Sequence, residues 1–112
     1  MGRVLVVDDG AGWRGLYRLV LSEAHEVFEG GHALEALEVL RRHPFDLVVL
    51  DYELPGMSGA QLLATMRAEG IAVPVVLCTA HAGLVRARDY DAVLSKSTDL
   101  RLLRRTIEAT LE

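Results

Sequence analysis

Five short runs of this chain are mostly apolar on both faces, and they alternate with longer stretches of helical, amphipathic pattern. The runs fall near 3–7, 26–29, 46–51, 73–79 and 92–95 and are rich in Val and Leu. A strand with two apolar faces belongs in a sheet covered on both sides, which implies parallel strands with helices between them. In the intervening stretches, Leu34, Leu37 and Leu40 make one stripe, Leu62, Leu63 and Met66 a second, and Leu100, Leu103, Ile107 and Leu111 a third. Ser58 and Asp99 are placed to cap helices, while Pro44 and Pro74 punctuate helix-to-strand turns. With right-handed crossovers, the order βαβαβαβαβα predicts an α/β sandwich with a doubly wound sheet.

The carboxyl ends of parallel strands open on one edge, so residues distant in sequence meet there. Asp8 and Asp9 follow the first run, Asp51 the third, Thr79 closes the fourth, and Lys96 lies just past the fifth. Singly, each has a plain explanation: a strand stop, the opening of a turn, a helix cap, an exposed lysine. Turn formation does not, however, require four strand ends to carry a complementary set of acids, a hydroxyl and an amine. Three converging acids repel one another, and a bound hard cation relieves the repulsion. Oxygen ligands select Mg²⁺, which takes one or two carboxylates, waters and a phosphate oxygen. A carboxylate can also attack phosphorus to give an aspartyl phosphate. Asp51 is the candidate nucleophile, with Lys96 and Thr79 across the pocket to hold phosphoryl oxygens.

At 112 residues, 51% hydrophobic and 25% charged, the chain reads as one globular domain over 1–112. The net charge of −4 gives no strong field for nucleic acid or an anionic membrane, and neither is an expected partner. Arg101, Arg104 and Arg105, with Arg86 and Arg88 upstream, read as a solvated face. Cys78, the single cysteine, lies inside an apolar run and is expected to be buried in a reducing compartment. The first strand starts within three residues of Met1, leaving no room for a signal peptide, and no apolar stretch nears a membrane span. A cytoplasmic location is the expectation. His25, His32, His43 and His81 lack metal-ligand spacing.

The segments Val4-Leu-Val-Val-Asp-Asp9, Asp46-Leu-Val-Val-Leu-Asp-Tyr-Glu-Leu-Pro-Gly-Met-Ser-Gly59, Leu77-Cys-Thr-Ala80 and Leu94-Ser-Lys96 resemble the receiver domain of two-component response regulators. The resemblance spans essentially the whole chain. It implies a flavodoxin-like, five-stranded parallel sheet of order 2-1-3-4-5 flanked by helices. It also implies that Asp51 is the phosphoacceptor, that Asp9 and Asp51 bind Mg²⁺ directly, and that Asp8 helps mainly through water. Glu53 would ligate through its backbone carbonyl, and the backbone N–H of Ala80 would join Thr79 and Lys96 on the phosphoryl group. Pro55 and Gly59 would shape the loop after Asp51. The donor implied is the phosphohistidine of a sensor histidine kinase or phosphotransfer protein, or a small acyl phosphate. Such a domain self-phosphorylates and autodephosphorylates but is not a conventional enzyme, and it acts on a downstream protein partner.

Four departures from the family pattern matter. Gly10 stands where a polar residue is common, which predicts a looser entry to the first helix, affecting folding more than chemistry. Val93 replaces the aromatic switch residue, and a β-branched side chain has few χ1 options and no ring to swing. Ser97 replaces the cis proline after the Lys; a cis bond there would cost about 3 kcal/mol, so a repositioned Lys96 loop is expected. Lastly, sixteen residues separate Thr79 from Lys96, short enough to remove more than a helical turn. A short, frayed or absent fourth helix follows, with Leu84 to Arg88 as a stub weakened by Gly83 and by Asp89-Tyr90-Asp91. Phosphorylation would then be read out atypically, for example by ordering of residues 81–91.

Two other functions compete. Gly10-Ala-Gly12-Trp-Arg-Gly15 spells GxGxxG after the first strand, and Glu29 ends the second, as in a dinucleotide-binding enzyme. Asp8 and Asp9 would repel that pyrophosphate. The missing switch aromatic also allows an interaction module that no longer needs phosphate. Trp13, four residues after Asp9, is expected beside the metal pocket, and His81, two residues after Thr79, is expected to border it.

Overall fold

The computed structural model describes residues 2–80, 83, 85–96 and 99–111. The apolar runs form β1 (Arg3–Val7), β2 (Glu26–Gly30), β3 (Leu47–Leu50), β4 (Val75–Thr79) and β5 (Ala92–Ser95). All pair in parallel, in the order β2-β1-β3-β4-β5. This is the flavodoxin-like doubly wound sheet. The winding reverses between β1 and β3, so the crevice beyond their carboxyl ends is where such a fold binds ligands.

Alternation along each strand builds two cores. Leu5, Val7, Val48, Leu50, Val75 and Leu77 face the layer formed by α2 (Ala33–Arg42) and α3 (Gly59–Ala68). Val4, Val6, Leu47, Val49, Val76 and Cys78 face α1 (Ala11–Leu21) and α4 (Leu100–Leu111), where Tyr17, Leu21, Leu103 and Ile107 complete the packing. β1, β3 and β4 therefore have no solvent face, which is why they read as unbroken apolar runs. The cysteine is a buried free thiol, as expected.

The helix stripes need one correction. Leu34 is 68% exposed, and the buried face of α2 is instead Ala33, Ala36, Leu37 and Leu40. The cause is where α2 begins. His32 is its N-cap, with Nδ1 accepting from Glu35 N, while the Glu35 carboxylate accepts from Gly31 N at 2.7 Å. Starting the helix there turns Ala33 inward and Leu34, one step of about 100° onward, to solvent. Leu100, at 37% exposed, is likewise outside the buried stripe of α4, which is carried by Leu103 and Ile107.

Both expected caps form. Ser58 and Gln61 make a reciprocal capping box on α3, and the Asp99 carboxylate accepts from Arg101 N at 2.7 Å at the start of α4. Arg101, Arg104 and Arg105 lie exposed along α4, as a solvated face requires.

Among the described residues between β4 and β5 none is α-helical; Ala87–Asp89 makes a single 3₁₀ turn. Leu84, the start of the expected stub, lies outside the described residues, as do His81 and Ser97. Val85, Tyr90 and Val93 pack against the α2/α3 side of the sheet. Asp91 then closes the connection twice: its backbone N–H donates to Val75 O at 2.9 Å, and its carboxylate accepts from Val75 N at 2.7 Å. The short link is thus tied directly to the start of β4.

Candidate functional site

Three of the predicted residues are fixed by a ladder bond one step beyond their strands. Asp8 N donates to Gly30 O at 3.0 Å, Asp51 N to Val7 O at 2.9 Å, and Lys96 N to Thr79 O at 2.9 Å. The sheet therefore sets the backbones of the site, leaving only side-chain rotamers to be chosen. Val7 pairs with Leu50, so Asp8 and Asp51 leave adjacent strands at the same level.

The side chains converge. Carboxylate oxygens of Asp8, Asp9 and Asp51 all lie within 4.8 Å of one another, with Asp8 and Asp51 buried and Asp9 exposed. Lys96 Nζ reaches in from β5 and donates to Asp51 Oδ2 at 3.3 Å. It also sits 2.9 Å from Asp8 Oδ2 as an ion pair. That contact lies off the hydrogen-bond direction, so the buried Asp8 Oδ2 accepts no aligned hydrogen bond. Asp8 Oδ1, by contrast, accepts from Gly10 N at 2.8 Å. Thr79 is buried at the end of β4, and Ala80 follows it as an exposed turn residue.

This arrangement answers the question of a metal. Three carboxylates crowd one edge, one of them holding a buried oxygen without an aligned donor, and all the candidate ligands are hard oxygens. That donor set fits Mg²⁺. Among the described residues the histidines do not join it: His25 Nδ1 accepts from Gly2 N, His32 caps α2, and His43 stacks on Phe28.

Electrostatics follow from the crowding. Burial, then the Asp8 charge, push the Asp51 carboxyl above its ordinary value; the Lys96 charge and hydrogen bond, and a hydrogen bond with the Glu53 backbone, partly pull it back. Burial opposes the Lys96 charge, but Asp8 and Asp51 outweigh it and hold the ammonium above its ordinary pKa. The acids keep the lysine charged, and one lysine does not fully compensate the acids.

Four supporting residues emerge that strand-end reasoning passes over or undervalues. Arg14 Nη1 donates to Asp8 O at 2.6 Å and its Nε pairs with Glu29 at 3.3 Å, pinning the loop after β1 to the end of β2. Gly59 approaches so closely that a Cβ there would meet Asp51 O at 2.6 Å and Tyr52 Cα at 2.9 Å. Only a glycine lets α3 start directly beneath the Asp51 backbone, and its N–H donates to Tyr52 O at 2.6 Å. Gly56 follows Pro55 in the loop between them, at φ +77°, a backbone conformation that favours glycine. Gly10 is the fourth. It is the N-cap of α1, with no side-chain cap bond, and a Cβ there would sit 3.2 Å from both Asp8 Oδ1 and Trp13 Cδ1. Trp13 itself lies where the sequence puts it, its ring centroid 4.9 Å from Lys96 Nζ.

The dinucleotide reading does not survive this geometry. Gly12 and Gly15 lie inside α1 on its exposed surface and form no phosphate-binding loop. Glu29 is engaged by Arg14 at 3.3 Å and Arg18 at 2.7 Å.

Comparison with known proteins agrees with the pocket. The chain is 34% identical to sporulation initiation phosphotransferase F of Bacillus subtilis over 83 residues, 73% of this chain and 67% of that protein. It is 40% identical to response regulator protein FleR of Pseudomonas aeruginosa over 75% of this chain but only 18% of FleR. With the transcriptional regulatory protein GlrR of Escherichia coli it shares 33% identity over 97% of this chain and 26% of GlrR. The chain thus spans a minor part of the longer relatives. Among solved structures, it superposes on response regulator protein TrrA of Thermotoga maritima, crystallised in complex with Mg²⁺ and BeF. The TM-score is 0.87 at 29% identity, covering 98% of this chain and 99% of that one. A CheY-like receiver domain protein of Methanospirillum hungatei gives a TM-score of 0.87 at 25% identity over 99% and 94% of the two chains. The response regulator receiver domain profile matches residues 4–108, and the chain belongs to that family of two-component phosphoacceptor domains.

Proposed function

We propose that residues 1–112 act as one receiver domain in which Asp51 accepts a phosphoryl group from the phosphohistidine of a sensor histidine kinase or phosphotransfer protein. The observation that carries this is the meeting of Asp8, Asp9 and Asp51 with the Lys96 ammonium at the sheet's switch point. TrrA, crystallised with Mg²⁺ and BeF, supports it by similarity. In the step itself, an Asp51 carboxylate oxygen attacks phosphorus, the donor's P–N bond breaks, and the leaving imidazole keeps the electron pair and takes up a proton. Lys96 turns from the carboxylates to a phosphoryl oxygen, and the Thr79 hydroxyl and Ala80 N–H take up the others. Asp9 and Asp51 would hold Mg²⁺ directly, Asp8 through water, and Glu53 through its backbone carbonyl. The chemistry supplied by bound Mg²⁺ is charge neutralisation between the crowded acids and the incoming phosphate.

The output is proposed to be atypical. Val93 packs on the α2/α3 side with no ring to rotate, and residues 80–91 carry little helix among those described. Phosphorylation would therefore act on a downstream protein partner by ordering 81–91. Identical amide exchange over those residues with and without beryllofluoride would remove that part of the proposal. The buried thiol of Cys78 fits a reducing compartment, and the cytoplasm is the proposed location. Among the described residues, no helix is long and apolar enough to cross a membrane.

Radiolabelled acetyl phosphate with Mg²⁺ tests the central step. The parent chain should take up base-labile label that hydroxylamine releases, as an acyl phosphate requires, and Asp51→Asn should take up none. A parent that stays unlabelled by both acetyl phosphate and a phosphorylated donor would favour a phosphate-independent interaction module.

A further inference from the structure

We infer that Trp13 is a positioning residue for Lys96, holding its ammonium over the acid pocket through the face of the indole. The inference rests on the phosphoacceptor reading of Asp51 and extends it to a residue outside the polar constellation.

The geometry begins in the sequence of α1. Trp13 is the third residue of the helix, and helical side chains lean back toward the N-terminus. Its indole therefore folds toward the loop from Asp8 to Gly10, where a Cβ on residue 10 would stand 3.2 Å from Trp13 Cδ1. The glycine at that position, which the sequence presents as a weakness in the loop, is what leaves room for the ring. One turn later, the buried Tyr17 braces the ring at 6.1 Å between centroids. The ring so placed lies 4.9 Å from Lys96 Nζ, within cation–π range of a side chain only 14% exposed.

The indole provides a contact that the acids cannot. Lysine has three N–H groups, and in the resting site Asp51 takes an aligned hydrogen bond while Asp8 forms an ion pair. During transfer the ammonium must leave carboxylate oxygens for phosphoryl oxygens. An aromatic face attracts the charge without offering an oxygen that competes for it, so that contact persists through the exchange. It also screens the ammonium from water, which strengthens each remaining electrostatic interaction.

The test compares Trp13→Phe, which keeps a π face, with Trp13→Leu, which keeps apolar bulk alone. Gly10→Ala is a third variant that crowds the ring without removing it. The first readout needs neither phosphate nor metal: the Lys96 ε-methylene proton shifts, which the indole ring current moves upfield in the parent. They should stay displaced in Trp13→Phe, move partway in Gly10→Ala, and return to the ordinary lysine position in Trp13→Leu. The second readout is the rate of labelling by acetyl phosphate. Trp13→Leu should label about fivefold more slowly and Trp13→Phe within about twofold of the parent, as a partly desolvated cation–π contact implies. Equal labelling rates for Trp13→Leu and the parent would overturn the proposal, and so would equal slowing by Phe and Leu, which would mark simple steric cover. If Trp13→Leu fails to fold, unshifted methylene protons in the parent, or Gly10→Ala labelling like the parent with the shift moved, would overturn it. An unlabelled parent with shifted Lys96 protons would instead indict the phosphoacceptor reading and, with it, the positioning role, while leaving the contact itself established.

Discussion

Asp51 sits in the folded chain between a neighbouring carboxylate and a lysine, and the balance of the two has a measurable sign. Its carboxyl is raised above 3.8, by burial first and by the Asp8 charge second. A raised folded-state value means that the native chain binds this proton more tightly than the unfolded chain does. The metal-free protein should then gain stability from this group as pH falls from 7 toward the carboxyl's unfolded value, and lose it as pH rises through the folded value. Unit charges about 4 Å apart repel by about 4 kcal/mol at an effective dielectric of 20, and Lys96 offsets most of that. Asp51→Asn should accordingly stabilise the chain in EDTA by about 1 kcal/mol at pH 7, with the gain shrinking on acidification and on adding Mg²⁺. Urea denaturation of both proteins at pH 5 and pH 7 checks it; a variant less stable than the parent at pH 7 would contradict the sign. Gly59 is constrained differently, by space. A methyl there would press on Asp51 O and Tyr52 Cα, both backbone atoms that cannot swing aside. Gly59→Ala should destabilise by about 2 kcal/mol and slow labelling of Asp51, because the shift falls on the acceptor's own backbone.

Among the elements, α1 shows where a sequence pattern misleads and where it informs. Gly12 and Gly15 stand in its exposed surface, and a methyl group on either would have no neighbouring atom within 4 Å, so no contact requires them to be glycine. Replacing each with alanine should stabilise the chain by about 1 kcal/mol through helix propensity alone, read as a rise in urea midpoint without a change in slope. A pyrophosphate-binding loop would instead lose its ligand. β1, β3 and β4 are legible in the sequence because burial on both faces leaves an unbroken apolar run, and the pocket is legible because the sheet register brings strand ends together. Leu34 misleads for a physical reason: the buried face of α2 is half alanine, which carries little hydropathy signal, so the eye follows the leucines. The shortened connection between β4 and β5 can be counted from the chain, but the clasp of Asp91 on Val75 cannot, since a carboxylate in an acidic cluster reads first as solvated. Gly10 reads as slack because its partner, the Trp13 ring, lies three residues on and meets it only once α1 is formed.

At the scale of the molecule, the two layers are unequally built. β1, β3 and β4 are buried on both faces, whereas every residue of β5 is only half-buried, and Val85, Tyr90 and Val93, themselves only partly buried, pack on its α2/α3 side. Local opening favours partly buried edges, so β5 and residues 85–91 should open before the fully buried β1, β3 and β4. Lys96 hangs from the end of that strand. Each opening of β5 therefore withdraws the ammonium from Asp8 and Asp51, and anything that engages Lys96 together with the acids must close the strand as well. Native-state amide exchange should show β1 and β3 exchanging only with global unfolding, and β5 exchanging at lower free energy in the metal-free protein. Mg²⁺ at a hundredfold excess over its dissociation constant should add about 2.7 kcal/mol to global stability, and so slow β1 and β3. Mg²⁺ with beryllofluoride should slow β5 more than Mg²⁺ alone does, because the phosphoryl mimic adds Lys96 and Thr79 to the bound set and joins β5 to β4. If β5 were as protected as β3 before any ligand is added, the strand would already be locked, and opening of β5 could not be the element on which phosphorylation acts.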